Sequence, residues 1–293
     1  MLFAKRHELL SFDELQYLSE VFCGLGVNKI RITGGEPFVR KGIMPFLKQL
    51  STISDLSEIV ITTNATLIDE YIEGLLQTRI RKINVSLDAL DANRFFQITR
   101  RDSFDIVYAN IFTLLEAGFE VKLNCVLSAT RNVEDIIPFI ELTKHHPLAV
   151  RFLEEMPFNG TEHFDVIRWN YEDIYKHISR HYAVINTENN EANSTSVNYH
   201  VPGYKGTFGI IPSFSRTFCG TCNRIRLSAT GELRTCLYGP PAANLRDVMR
   251  SGATTIEIEN TIINAVSDRL KDGIEAEALR NETVYDSMSV LGG

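Results

Sequence analysis

The chain has 293 residues, 44% hydrophobic and 23% charged, with a net charge of -7, the make-up of an ordinary globular protein large enough to bury a sizeable core. The acidic balance argues against a generic nucleic-acid binder, and no run approaches the roughly 18 apolar residues of a membrane span. Five cysteines, odd in number and partly clustered, fit a reducing compartment with metal chemistry better than a disulfide framework, so a cytoplasmic protein is expected, or an organellar one in a eukaryote.

From residue 11 onward, helical and strand-like runs alternate. Ser11-Phe-Asp-Glu14 has the spacing of a capping box and opens a predicted helix that ends at Gly24 or Gly26. Strands are predicted at 29–33, 58–64, 82–88, 120–127 and 149–153, with helices between them, as at 105–117 and 132–144. Alternating β and α units predict a parallel sheet. Parallel strands covered on both faces are nearly all apolar. Here Arg31 and Thr33, Thr62 and Asn64, Asn84, Ser86 and Asp88, and Lys122 and Asn124 fall on alternate positions. One strand face is therefore polar, most of all toward its C-terminal end. A (β/α) barrel can point such groups into a ligand-holding mouth, whereas an open doubly wound sheet buries them under helices at a cost. A barrel is the expected fold. Gly34-Gly35-Glu36-Pro37 follows the first of these strands; its glycines allow backbone to approach a ligand, or simply make a turn.

Farther along, Cys219, Cys222 and Cys236 are spaced C-x2-C-x13-C around two alternating runs and a Thr230-Gly231 turn. This reads as a β-hairpin folded about residue 230, with Cys236 opposite residue 224 and three thiolates converging. Three cysteines suit an iron–sulfur cluster with one open iron. A structural zinc lacks a fourth His or Cys within hairpin reach, and a disulfide is the remaining alternative.

Together, Ile30-Arg-Ile-Thr-Gly-Gly-Glu-Pro37, Thr62-Thr-Asn64, Asn84-Val-Ser-Leu-Asp88, Val121-Lys-Leu-Asn124, Arg151-Phe-Leu-Glu-Glu-Met-Pro157, Phe218-Cys-Gly-Thr-Cys-Asn-Arg-Ile-Arg-Leu227 and the Gly-Gly terminus resemble the GTP 3′,8-cyclase (molybdenum cofactor biosynthesis protein A) family of radical S-adenosylmethionine (SAM) enzymes. The resemblance covers essentially the whole chain. It implies an incomplete (β/α)6 barrel at 1–157, its first strand missing, and a cluster-binding α+β extension at 158–293. It implies a 5′-deoxyadenosyl radical that takes hydrogen from C3′ of GTP before C3′ bonds to C8, the first step of molybdopterin biosynthesis. Gly35, Ser86 and Met156 would contact SAM; Arg31, Thr62, Lys122, Arg224 and Arg226 would contact GTP. Cys219, Cys222 and Cys236 would hold a 4Fe–4S cluster. Further implied partners are a homodimer mate and a downstream molybdopterin precursor synthase, with no nucleic acid or membrane.

The sequence departs from the family pattern in one major respect. It contains no C-x3-C-x2-C motif, which in the family binds the second, radical-generating 4Fe–4S cluster; Cys23 and Cys125 read as buried structural thiols. Residues 1–10 resemble the segment after that loop. The chain reads as a fragment, a misassigned start or a protein without radical chemistry, and no SAM cleavage is expected of it as given. The alternative is a non-catalytic nucleotide-binding iron–sulfur protein. Ala65 stands where the family usually has glycine, and Arg100 where it often does. Residues 158–205 carry little signal; Trp169 reads as packing and 188–196 as an exposed loop.

Overall fold

The computed structural model describes residues 4–156, 169–189, 194–215 and 219–278. Helix α1 (Phe12–Gly24) begins at the expected capping box: Ser11 Oγ accepts from the Glu14 N–H at 3.1 Å, and the Glu14 carboxylate accepts the Ser11 N–H at 2.6 Å. Gly26 ends the turn at φ +97°. Then come β1 (Lys29–Ile32), α2 (Ile43–Leu50), β2 (Glu58–Thr63), α3 (Ile72–Leu76), β3 (Lys82–Ser86), α4 (Ala92–Thr99), α5 (Phe104–Glu116), β4 (Glu120–Leu127), α6 (Ile136–His145) and β5 (Ala149–Glu154). The five predicted strands are thus present, parallel and in sequence order.

The sheet continues past β5. After α7 (Tyr171–His181), strands β6 (Asn186–Thr187), β7 (Val197–His200) and β8 (Thr207–Ile211) complete the order β1-β2-β3-β4-β5-β8-β7-β6. Strand β8 pairs parallel with β5, while β7 and β6 add antiparallel. Among the described residues the sheet stays open, with β1 and β6 as its edges: an incomplete barrel. The boundary expected at 157/158 lies outside the described residues. Residues 197–200 and 207–211, silent in the sequence, are sheet strands.

One face of the sheet makes the core. Ile59, Ile61, Ile83, Val85, Val121, Leu123, Val150, Phe152, Phe208 and Ile210 are all buried. Burying each such side chain stabilises by about 1.5–3 kcal/mol. Their alternate neighbours, among them Thr62, Ser86, Lys122, Asn124 and Arg151, face the other way and keep some exposure.

The remaining elements are β9 (Arg226–Leu227), β10 (Glu232–Arg234), β11 (Ala243–Asn244), α8 (Leu245–Arg250), α9 (Thr255–Ser267) and α10 (Gly273–Ala278). Strands β9 and β10 form the predicted hairpin, pairing Leu227 with Leu233 and Arg226 with Arg234. Gly231 supplies the left-handed turn residue at φ +89°. Continued by two residues, this register sets Cys236 opposite Arg224. Leu233, Leu245, Ile258 and Ile262 pack on Leu18, Val21 and Phe22 of α1, so that helix serves both halves of the molecule.

Residues 7–10 run between those halves as a ribbon held by its carbonyls. Arg250 donates to His7 O at 2.6 Å and Leu9 O at 2.9 Å, Arg246 to Glu8 O, and Arg40 to Leu10 O. Leu10 N–H donates to Ala229 O of the hairpin turn at 2.9 Å.

Candidate functional site

Strand register arranges the polar face in rows. Thr62, Asn84 and Lys122 are cross-strand neighbours, as are Ser86, Asn124 and Arg151. Within the first row Asn84 Nδ2 donates to Thr62 Oγ1 at 3.3 Å. Arg31 projects from β1 and stays solvent-accessible although protein surrounds it closely, the situation of a side chain inside an open cleft.

Cations dominate the electrostatics among the described residues of this face, with Glu58 acting weakly against them on Arg31 and Glu120 on Lys122. Burial, reinforced by the charges of Arg224, Arg151 and Arg226, pulls the Arg31 pKa down to about 10. Burial and then Arg151 pull Lys122 down to about 8. Arg226 is lowered by burial and by Arg224. Arg31, Lys122, Arg151, Arg224 and Arg226 therefore crowd together, and like charges in one cleft favour an anionic ligand that relieves their repulsion. The structure brings the four predicted cations together and adds Arg151, whose phase on β5 with Ala149 and Leu153 was the available signal.

At the C-terminal rim lie the residues expected to meet SAM. Gly35 follows β1, Ser86 ends β3 and Met156 follows β5. A Cβ placed on Gly34 or Gly35 would meet no atom within 4 Å, and Gly34 sits at φ +146°, so this loop borders open space that a ligand can fill. Glu36 fixes the loop to β2. Its carboxylate accepts Thr63 Oγ1 at 2.8 Å, Asn64 N–H at 2.7 Å and Phe38 N–H at 3.2 Å. Met156 Sδ accepts from Tyr238 Oη at 3.2 Å and packs beside Cys236.

The thiols of Cys219, Cys222 and Cys236 form no disulfide and are partly exposed. Burial pushes the Cys222 thiol up, but hydrogen bonds from the Arg224 backbone and the Arg269 side chain leave it lowered overall. Cys222 and Cys236 are both close enough to act on Arg226. The donor chemistry, three thiols beside cations, suits an iron–sulfur cluster. Even so, among the described residues no three His, Cys, Asp or Glu side chains gather where a metal ion could be held. The expected convergence on one point is not confirmed: the hairpin sets the register of Cys236, Cys219 opens a separate 3-10 turn that ends at Thr221, and Cys222 follows it. Cys23 and Cys125 are buried, as expected.

Two further residues were not singled out by sequence. Glu154, fully buried, accepts the N–H groups of Tyr171, Phe214 and Ser215. Thr195 Oγ1 accepts from Arg224 Nη2 at 2.9 Å. Phe218 and the Gly-Gly terminus lie outside the described residues. Among those described, no helix is long and apolar enough to cross a membrane.

Known proteins resemble this chain in sequence and in fold. Residues 3–143 match the Radical SAM superfamily and residues 148–273 match Molybdenum Cofactor Synthesis C. The chain is 33% identical over 286 residues to GTP 3′,8-cyclase of Chlorobaculum tepidum, covering 97% of this chain and 86% of that protein. It belongs to the GTP 3′,8-cyclase family. The mitochondrial GTP 3′,8-cyclase of Arabidopsis thaliana is 37% identical over 271 residues, 90% of this chain and 68% of that one. Molybdenum cofactor biosynthesis protein 1 of Dictyostelium discoideum is 39% identical over 269 residues, which cover 90% of this chain and 42% of that protein. The chain thus spans under half the length of that longer relative. In fold it is similar to SuiB of Streptococcus suis bound to S-adenosylmethionine, with a TM-score of 0.58, 16% identity and coverage of 96% and 70% of the two chains.

Proposed function

We propose that this chain carries the GTP site and part of the SAM site of a GTP 3′,8-cyclase, which makes (8S)-3′,8-cyclo-7,8-dihydroguanosine 5′-triphosphate. The observation that carries this reading is the group of five cations at the barrel mouth: burial lowers Arg31, Lys122 and Arg226, with Arg224, Arg151 and Arg226 acting further on Arg31, Arg151 on Lys122, and Arg224 on Arg226. A triphosphate suits these cations: arginines give bidentate bonds and Lys122 a point charge. Thr62 adds a hydroxyl. On the rim, Gly35, Ser86 and Met156 face SAM, with Glu36 holding the glycine loop in place.

A 4Fe–4S cluster on Cys219, Cys222 and Cys236 would supply an open iron as a ligand site for the purine. The hairpin's part is to present Arg224 and Arg226 to the same ligand. Because the 293 residues contain no C-x3-C-x2-C, SAM cleavage is assigned to a protein in which that motif is also present. A homodimer and a downstream molybdopterin precursor synthase belong to the same reading.

Anaerobic calorimetric titration with GTP tests it. Arg31→Ala and Arg226→Ala should each cost about 1.5–3 kcal/mol, roughly ten- to hundredfold in affinity. If both leave the affinity unchanged, the site is wrongly assigned. With the C-x3-C-x2-C segment supplied in the same polypeptide, SAM, dithionite and GTP should yield the cyclised triphosphate.

A further inference from the structure

The loop before β7 reaches into the cationic site. Thr195 Oγ1 stands 2.9 Å from Arg224 Nη2, although the polar run at 188–196 reads in sequence as an exposed loop. Its neighbours brace it. Ser194 Oγ donates to Ser196 O at 2.9 Å, Ser196 N–H returns a bond to Ser194 Oγ at 3.2 Å, and Ser196 Oγ donates to Asn198 Oδ1 at 2.8 Å. Strand β8 makes room for this brace at Gly209, which pairs with Asn198. A Cβ there would fall 2.3 Å from Ser196 Oγ and 2.6 Å from Asn198 Oδ1. Gly209 is also the cross-strand neighbour of Arg151, so the brace lies beside the row that ends in that arginine.

We infer that Thr195 is a positioning residue for Arg224, setting the direction in which its guanidinium meets an anionic nucleotide. This rests on the reading that Arg224 contacts GTP. The chemistry of the partner matters. A carboxylate at this point would orient the guanidinium and also cancel its charge. A hydroxyl accepts one N–H without contributing charge, so this contact aims Arg224 without cancelling its charge. An arginine aimed in advance loses less side-chain freedom when the ligand arrives.

The experiment is anaerobic GTP titration of the full chain after reconstitution with iron and sulfide, on Thr195→Val, Thr195→Ser, Arg224→Ala and the Thr195→Val/Arg224→Ala pair. Thr195→Val keeps the shape and removes the acceptor; its Kd should rise about tenfold with an unchanged unfolding temperature. Thr195→Ser should restore affinity. In the Arg224→Ala background, Thr195→Val should add less than a twofold change, because the group it orients is gone. If Arg224→Ala weakens GTP and Thr195→Val does not, or if Thr195→Val costs as much without Arg224, the positioning role is refuted while the site stands. If Arg224→Ala itself leaves GTP affinity intact, the reading of the site fails and this inference with it.

Discussion

Glu154 and Ser215 are joined twice: the carboxylate accepts the Ser215 N–H through Oε2 and its hydroxyl through Oε1, each at 2.6 Å. The same carboxylate takes the N–H of Tyr171 at 2.7 Å and of Phe214 at 2.8 Å, with no part of the residue exposed. It thereby ties the end of β5, just before Met156, to the start of α7 and to the segment leading into Cys219. Glu154→Ala would leave those partly exposed donors without their acceptor and unlink the three segments. The expected loss is about 1–3 kcal/mol, read as a lowered unfolding midpoint in urea. Glu154→Gln keeps one acceptor and should lose less. A change below about 1 kcal/mol for the alanine variant would contradict this account of the junction.

Lys122 should make GTP binding depend on pH. Its pKa falls from an ordinary 10.5 to about 8, chiefly through burial and then through Arg151. Between those two values the unfolded chain binds the proton that the folded chain has lost, so this group's effect on stability becomes more favourable as pH rises. Anion binding runs the other way, because GTP needs the protonated amine. Affinity should fall as pH climbs through about 8, and Lys122→Arg should flatten that part of the profile. Matching wild-type and Lys122→Arg profiles from pH 7 to 9.5 would remove Lys122 from the site.

Ala65 and Arg100 both adopt left-handed backbone, at φ +57° and +59°, a conformation that glycine takes without steric cost. A side chain in that region costs roughly 1–2 kcal/mol, partly offset by the greater freedom glycine has when unfolded. Ala65→Gly and Arg100→Gly should therefore each raise stability, by up to about 1 kcal/mol, in thermal unfolding. Neither changes a group assigned to GTP or SAM. A destabilising Ala65→Gly would mean that packing of the buried methyl outweighs the backbone strain.

Iron and sulfide analysis of the anaerobically reconstituted chain should find about four of each on Cys219, Cys222 and Cys236. Changing any one of them to alanine should abolish the cluster's visible absorption. Stoichiometric zinc without sulfide would assign the three thiols to a different metal.

Much of this was legible in the sequence because parallel strands leave a strong trace. The alternation of Thr62, Asn84 and Lys122 with apolar neighbours marked which face would carry chemistry. Thr230-Gly231 marked the hairpin closely enough to put Cys236 opposite Arg224. The rest was hidden for physical reasons. Val197–His200 is short and half polar, so it carried no strand signal until β8 gave it a partner. Glu154 and Glu155 are adjacent carboxylates, and only the fold decides which is buried. Thr195 lies in a polar loop whose contact with Arg224 spans 29 positions of sequence. Hairpin geometry orders Cys236, whereas Cys219 and Cys222 come before the paired strands and outside their register.

The ribbon at 7–10 has a consequence for how this part of the chain can change over time. Arg246, Arg250 and Arg40 grip carbonyl oxygens, which every amino acid possesses. Exposed His7 and half-exposed Glu8 and Leu9 can therefore drift in identity without loosening the grip. Leu10 cannot drift in the same way: its side chain is fully buried, and its N–H, which proline lacks, closes on Ala229. Selection at this junction acts on the path of the backbone and on three distant arginines, so two relatives can share the joint while sharing almost none of the letters that run through it.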